Sequence, residues 1–241
     1  MVTLAINTSP CSCTEFRPCS QLEFMQNQGS MGCPLCNSPE VGAFLTDDKR
    51  QWRYWHCHQC DLVFRDPQSH LNKLQEKARY QEHNNSIENE GYVHFLTPVV
   101  EALLPYLKDG DVGLDYGSGP GPILDILFER KGYKVTNYDP YFAPHPQNLS
   151  RQYDFITCTE VAEHFYTPGL DFSKIFELLK TNGCLLVMTQ MRPNDFESWY
   201  YRNDDTHVCF YSRQSMAWVA KRWDMDLLST EGGLCLFKKN A

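Results

Sequence analysis

Hydrophobic positions along the chain follow two periods. Short apolar runs end in the strands Gly113–Tyr116, Tyr133–Tyr138, Tyr153–Thr159 and Cys184–Thr189. Between and around them, apolar residues recur at helical spacing. A helix over 95–106 carries Val99, Val100, Leu103 and Leu104 on one face, and another begins near Ile123 with Leu124, Ile126, Leu127 and Phe128. The span 169–180 places Phe172, Ile175, Phe176 and Leu179 together and stops at Asn182-Gly183. Ser212 can cap a further helix with Met216, Val219 and Trp223 inward, and Gly232-Gly233 turns a closing hairpin of 225–230 and 234–238. Strands alternating with helices predict an α/β fold with a largely parallel sheet. Residues 71–107 read mostly as helix, broken at His83-Asn84-Asn85.

Composition narrows the class. With 241 residues, 42% of them hydrophobic, the chain can bury one good core and a small appended module. A formal net charge of −8 opposes tight, sequence-independent binding to phosphate backbones. No apolar run reaches the ~18 residues of a membrane span. The opening Met1–Ile6 has neither a basic start nor a long apolar stretch, so the eleven cysteines are expected in a reduced, cytoplasmic protein.

Four of those cysteines have metal spacing. Cys33-x-x-Cys36 and Cys57-x-x-Cys60 are separated by 20 residues, as in four-cysteine zinc sites. Arg53-Tyr54-Trp55 and Asp61–Phe64 read as hairpin strands around the second pair, and the segment resembles a zinc ribbon. Four thiolates would leave no open position, which makes the expected Zn2+ structural. His56 and His58 flank the second pair as neighbours, and Cys158, Cys184, Cys209 and Cys235 lie in apolar settings as small hydrophobes. The expected division is a flexible arm over 1–30, holding Cys11, Cys13 and Cys19, a zinc ribbon over 31–70 and a catalytic domain over 71–241.

The chemistry centres on Asp115-Tyr116-Gly117-Ser118-Gly119-Pro120-Gly121. Glycines at 117, 119 and 121 let the backbone turn sharply and approach a ligand closely. Asp115 lies two residues before the first glycine, where a carboxylate repels a pyrophosphate but suits a cationic ligand. Asp139 follows 18 residues after Gly121, near the ~20 at which an acid meets ribose hydroxyls.

On these residues the chain resembles the class I S-adenosylmethionine-dependent methyltransferases, over roughly 75–241. Tyr153–His164 is similar to the fourth strand and following loop of the ubiquinone-type O-methyltransferases and uncharacterised relatives. The resemblance implies a doubly wound sheet with a terminal antiparallel hairpin, S-adenosylmethionine as cofactor, and Asp115, Gly117, Gly119, Gly121, Asp139, Thr159 and Glu160 around it. It also implies a leading segment that covers the cofactor as a lid, with Tyr80 and His83 as pocket candidates. One departure stands out. Only 14 residues, three of them proline, separate Asp139 from Asp154, so the third helix and strand are expected to be truncated or absent. Adenine recognition then falls to the backbone or to Pro146–Leu149.

Transfer of an activated methyl requires a nucleophile held in line and, for a neutral acceptor, a base. Glu160, Glu163 and His164 would share one face if their loop is helical, either for catalysis or as a pair fixing the loop. The insertion Trp199–Val208 is rich in aromatic, acidic and imidazole groups. There His207, at the start of an expected strand over 207–211, is expected as general base, with Tyr201 and Asp205 as positioning groups. The preferred acceptor is a small molecule. An RNA or protein acceptor docked by the ribbon cations Lys49, Arg50, Arg53 and Arg65 is the alternative, and a non-catalytic cofactor-binding scaffold is a third reading.

Overall fold

The computed structural model describes residues 31–82 and 86–241. The expectations for residues 1–30 and for His83 lie outside them. Residues 32–241 form one compact unit. In chain order it holds β1 (Val41–Asp47), β2 (Trp52–Cys57), β3 (Val63–Arg65), α1 (Lys73–Tyr80), α2 (Glu90–Leu103), β4 (Val112–Tyr116), α3 (Leu124–Glu129), β5 (Lys134–Tyr138), β6 (Tyr153–Thr159), α4 (Pro168–Glu177), β7 (Leu179–Met188), β8 (Cys209–Phe210), α5 (Arg213–Arg222), β9 (Met225–Glu231) and β10 (Leu234–Lys239).

The main sheet has the order β5-β4-β6-β7-β10-β9. Its first four strands are parallel, and β10 closes it antiparallel to both β7 and β9. Period-two alternation assigns each strand's residues to opposite faces. Ile156, Leu185, Val187, Cys235 and Phe237 pack with Phe172, Ile175 and Phe176 of α4 and Met216 and Val219 of α5. Their neighbours Phe155, Cys184, Leu186 and Leu236 face Leu96, Val99, Val100 and Leu103 of α2 and Leu124, Leu127 and Phe128 of α3. Helices on both faces make the sheet doubly wound, as expected. Each fully buried Phe or Leu there contributes about 1.5–3 kcal/mol by leaving water.

Between β5 and β6 no helix–strand unit forms. An Asp139–Ala143 bridge and a 3-10 turn over Pro146–Leu149 fill the gap, as the short prolyl linker required. Three local expectations differ. α2 starts at Glu90 rather than Phe95, because the Asn89 side chain accepts from Tyr92 N, and it gives way to a 3-10 turn at Leu104. α4 ends at Glu177 and Asn182-Gly183 sits inside β7: Leu179 already pairs with Tyr153, and a register shift, with Asn182 at φ 63°, absorbs the extra residues. The strand expected over His207–Tyr211 shortens to β8, which leaves the main sheet altogether.

β8 instead completes a second sheet of order β1-β2-β3-β8, all antiparallel. The cysteine segment and the late insertion therefore share backbone hydrogen bonds. Cys33, Leu35, Cys57, Cys60, Leu62 and Phe64 belong to the same core cluster as α4 and α5. The first cysteine turn lies on the start of α4, where Gly169 N donates to Pro34 O and a Cβ at Gly169 would come within 2.6 Å of Leu35 O. Among the described residues no helix is long and apolar enough to cross a membrane.

Candidate functional site

Two tight turns bring the four cysteines together. Asn37 N donates to Cys33 O and Asp61 N to Cys57 O, both at 2.9 Å, and Asn37 and Asp61 take the left-handed φ that each reversal needs (60° and 61°). The Sγ atoms of Cys33 and Cys60 are 3.5 Å apart and those of Cys36 and Cys57 3.4 Å. Zinc–sulfur bonds of about 2.3 Å in a tetrahedron require sulfurs about 3.8 Å apart, so small rotations suffice and the set fits structural zinc. No disulfide forms among the described cysteines. His56 bonds Asp61 Oδ1 at 2.7 Å and stands outside the ligand set. Cys158, Cys184, Cys209 and Cys235 are buried, as expected.

The glycine turn follows β4 at the carboxyl end of the parallel strands, where open α/β sheets hold ligands. Gly117 and Gly119 have φ of 86° and 66°, and Gly121 has no positive φ. Gly117 also has no room for a Cβ, which would meet Val161 Cγ2 at 2.4 Å. A cavity beside the turn is lined by Tyr92, Leu96, Asp115, Gly117, Ser118, Ile123, Leu124 and Thr159. Two buried hydroxyl oxygens here, Ser118 Oγ and Thr159 Oγ1, lack hydrogen-bond partners. Buried polar atoms normally find partners, so orphaned ones around a cavity mark where a polar ligand sits.

The two acids bracket this cavity differently. Asp115 is fully buried and accepts from Thr157 Oγ1 at 2.8 Å; burial pushes its carboxyl up to about 7. Asp139 accepts from Gly119 N through Oδ2 and from Tyr141 N and Phe142 N through Oδ1. A carboxylate offers about four lone-pair sites, so one remains for a ligand hydroxyl while three fix the turn.

A family model described as a methyltransferase domain matches residues 80–230. The chain belongs to this family. It is an S-adenosylmethionine-dependent methyltransferase with a mixed, mostly parallel α/β fold. Its structure is similar to a chain from the complex of the Trm112 methyltransferase activator with a methyltransferase from Haloferax volcanii, with a TM-score of 0.53 at 12% identity over 69% of this chain and 98% of that one. It is also similar to 1,6-didemethyltoxoflavin-N1-methyltransferase of Burkholderia thailandensis, solved with bound 1,6-didemethyltoxoflavin and S-adenosylhomocysteine (TM-score 0.47, 14% identity, 83% and 100% coverage). A third likeness is to an S-adenosylmethionine-dependent methyltransferase of Methanosarcina mazei (TM-score 0.41, 16% identity, 59% and 97% coverage). No curated protein matches the chain.

Beyond Thr159, the methyltransferase gathers a second set of groups. Glu160 takes φ 53°, a conformation that costs a non-glycine residue about 1–3 kcal/mol, and Glu160 N donates to Met188 O at 2.8 Å. The following residues form a 3-10 turn over Ala162–His164 rather than an α-helix, so Glu160 and Glu163 do not meet by helical spacing. Tyr201 joins them instead. Its hydroxyl reaches Glu163 Oε1 at 2.5 Å and Glu160 Oε2 at 3.2 Å, with Thr189 Oγ1 at 3.4 Å. Burial raises both carboxyls, the Glu163 charge adding to the rise at Glu160, and burial also raises the Tyr201 hydroxyl, which stays protonated as the donor.

His164 and His207 complete the group, their rings 4.8 Å apart. Val208 N donates to Glu163 O at 2.8 Å, locking the insertion to the turn after β6. Both rings are held neutral by burial, His207 down to about 3. Tyr80 of α1 meets the His164 ring edge-on at 5.2 Å, and α1 is tied down through Glu76, which accepts from Tyr80 and Tyr141. Asp205 is not part of the cluster: its carboxylate lies 3.7 Å from Arg79 Nε. Ser118 could be found from its place inside the glycine turn, whereas Thr157, Thr189 and Glu76 had no local sequence signal, since each acquires its place only through pairing between distant strands or helix docking.

Proposed function

We propose that the enzyme moves the methyl group to a nucleophile on a small molecule, with Asp115, Gly117, Gly119, Gly121, Asp139, Thr159 and Glu160 around the cofactor. The cavity with two orphaned hydroxyls beside Asp115 carries this assignment. When bound, S-adenosylmethionine supplies a methyl group activated on a sulfonium. Asp115 faces the cationic amino-acid end, and the remaining lone pair of Asp139 takes a ribose hydroxyl. Glu160, strained and next to the cavity-lining Thr159, receives the acceptor's proton. Glu163, Tyr201, His164 and His207 position the acceptor. A ring pulled down to about 3 is a poor proton acceptor, so His207 suits positioning better than the general-base role.

The small-molecule reading is supported by how the cations near the cysteines are used. Arg65 is only 1% exposed, its guanidinium donating to Asp204 O and Asp205 O, and Arg50 pairs with Asp47. Arg65 is thereby withdrawn from any phosphate backbone, whereas Lys49, Arg50 and Arg53 are exposed. In this proposal 31–70 is a zinc ribbon, 71–241 the catalytic domain and 1–30 an arm, with the likeness of Tyr153–His164 to ubiquinone-type enzymes part of the same reading. Incubating the protein with cell extract and labelled cofactor should place label in the low-molecular-weight fraction. Label confined to RNA or protein would overturn it.

The raised Asp115 carboxyl has a measurable consequence. Below about 7 the free protein holds this group protonated, and a bound cation favours its ionised form. Binding therefore releases a proton, and affinity should rise with pH up to about 7 and level off above, by at most about tenfold per unit. Calorimetry in buffers of different ionisation enthalpy reads the proton directly. A flat profile between pH 5.5 and 7 would exclude Asp115 as the cation's partner.

A further inference from the structure

Glu163, His164 and His207 have features that holding an organic acceptor does not call for. His164 Nδ1 lies 3.1 Å from Thr206 O, and His207 Nδ1 lies 2.8 Å from Tyr201 O. A carbonyl oxygen only accepts, so each Nδ1 carries the proton and donates it. In a neutral ring the other nitrogen is then a bare lone pair. One ring nitrogen of each histidine and a carboxylate oxygen of Glu163 lie within 4.8 Å of one another, and His164 Nε2 is 4.0 Å from Glu163 Oε1. Glu163 is fully buried, and its Oε2 has no hydrogen-bond partner.

Orientation of metal-binding histidines follows this pattern. The ring nitrogen that does not bind the ion donates to a backbone carbonyl or carboxylate, which fixes tautomer and direction. Both rings here have that support, and Tyr201 supplies the corresponding outer hydrogen bond to Glu163 Oε1. Charge points the same way. Glu160 and Glu163 stand close together, and among the described residues no Lys or Arg forms an ion pair with either. The donors come from two segments already joined by the Val208–Glu163 backbone bond, so little chain ordering would be needed on binding.

We propose that Glu163, His164 and His207 form a second metal centre, separate from the four cysteines, that binds a divalent first-row transition ion. Two imidazoles and one carboxylate suit Zn2+, Fe2+, Co2+ or Mn2+, whereas Mg2+ and Ca2+ favour oxygen ligands alone. Drawing donors now up to 4.8 Å apart onto one ion requires rotation of the Glu163 side chain and small shifts of both rings. Three protein ligands leave at least one coordination position open. Binding of the ion does not depend on the acceptor assigned above.

Cobalt provides the probe. Full-length protein equilibrated with Co2+ and freed of excess should retain one more ion per chain than His207→Ala or Glu163→Gln, both measured by elemental analysis. S-adenosylhomocysteine affinity, read on the same samples, should agree within about twofold and reports that each variant is folded. Equal cobalt content in unaltered protein and folded variants would overturn the proposal. Should both variants fail to fold, crystals of the unaltered protein soaked in Co2+ decide it. An anomalous peak bridging His164 Nε2 and His207 Nε2 is expected, and its absence at full occupancy of the cysteine site overturns the second centre. Loss of S-adenosylhomocysteine binding by the unaltered protein would count against the cofactor site and leave the cobalt count standing.

Discussion

Cys60→Ser should lose zinc and melt the whole unit, not just the cysteine segment. A structural zinc site contributes on the order of 10 kcal/mol of apparent binding free energy, and domains of this size are stable by about 5–15 kcal/mol in total. The cysteines are not an outlying module held by a linker. Cys33, Cys57, Cys60, Leu62 and Phe64 share one core cluster with Ile156, Phe172 and Ile175, and β3 pairs with β8. Releasing the two turns uncovers the start of α4 and frees the β8 and Val208 segment that fixes Glu163. We expect the melting temperature to fall by at least about 10 °C, at roughly 2–4 °C per kcal/mol for a chain of this length. Scanning calorimetry with metal analysis tests it. A Cys60→Ser protein that melts at the original temperature without metal would remove zinc from the account of stability.

Asp139→Ala should abolish measurable cofactor binding, a loss of about a hundredfold or more. The carboxylate does two things at once. It accepts three backbone N–H groups from Gly119, Tyr141 and Phe142, so removal leaves three partly buried donors unpaired, each costing less than the about 1–3 kcal/mol of a fully buried one. It also removes the acceptor proposed for the ribose. The Asn variant separates the two: an amide oxygen can keep some of the backbone bonds while the charge is lost, and affinity should fall less than for Ala. Titration calorimetry with S-adenosylhomocysteine distinguishes them. Full affinity in the Ala variant would place the nucleoside elsewhere on the molecule.

Much of this architecture was legible in the chain because its causes are local. Period-two runs and 3.6-residue repeats specified the alternating elements, and the short prolyl link after Asp139 forbade a third helix–strand unit. Cysteine spacing pointed to a metal site because two residues between the cysteines of each pair are enough for one tight turn to bring both sulfurs together. The glycine turn with flanking acids was equally local: positive φ at Gly117 and Gly119 is a property of the residue type.

What tertiary structure decided is everything that depends on contact between segments distant in sequence. Spacing suggested that Glu160, Glu163 and His164 lie on a helix face; the chain forms a 3-10 turn, and Tyr201, about 40 residues later, joins the acids. The strand expected over His207–Tyr211 shortens to Cys209–Phe210, whose backbone groups pair with β3 outside the main sheet. Arg65 reads as a surface cation and is buried, because backbone carbonyls of the insertion satisfy its guanidinium. The sequence by itself determined the α/β fold, the glycine turn and the sulfur cluster, since backbone preference and hydrophobic period act over a few residues. Only tertiary structure placed two imidazoles, a phenol and two carboxylates in one buried group, because the desolvation that sets their chemistry exists only once the sheets have packed.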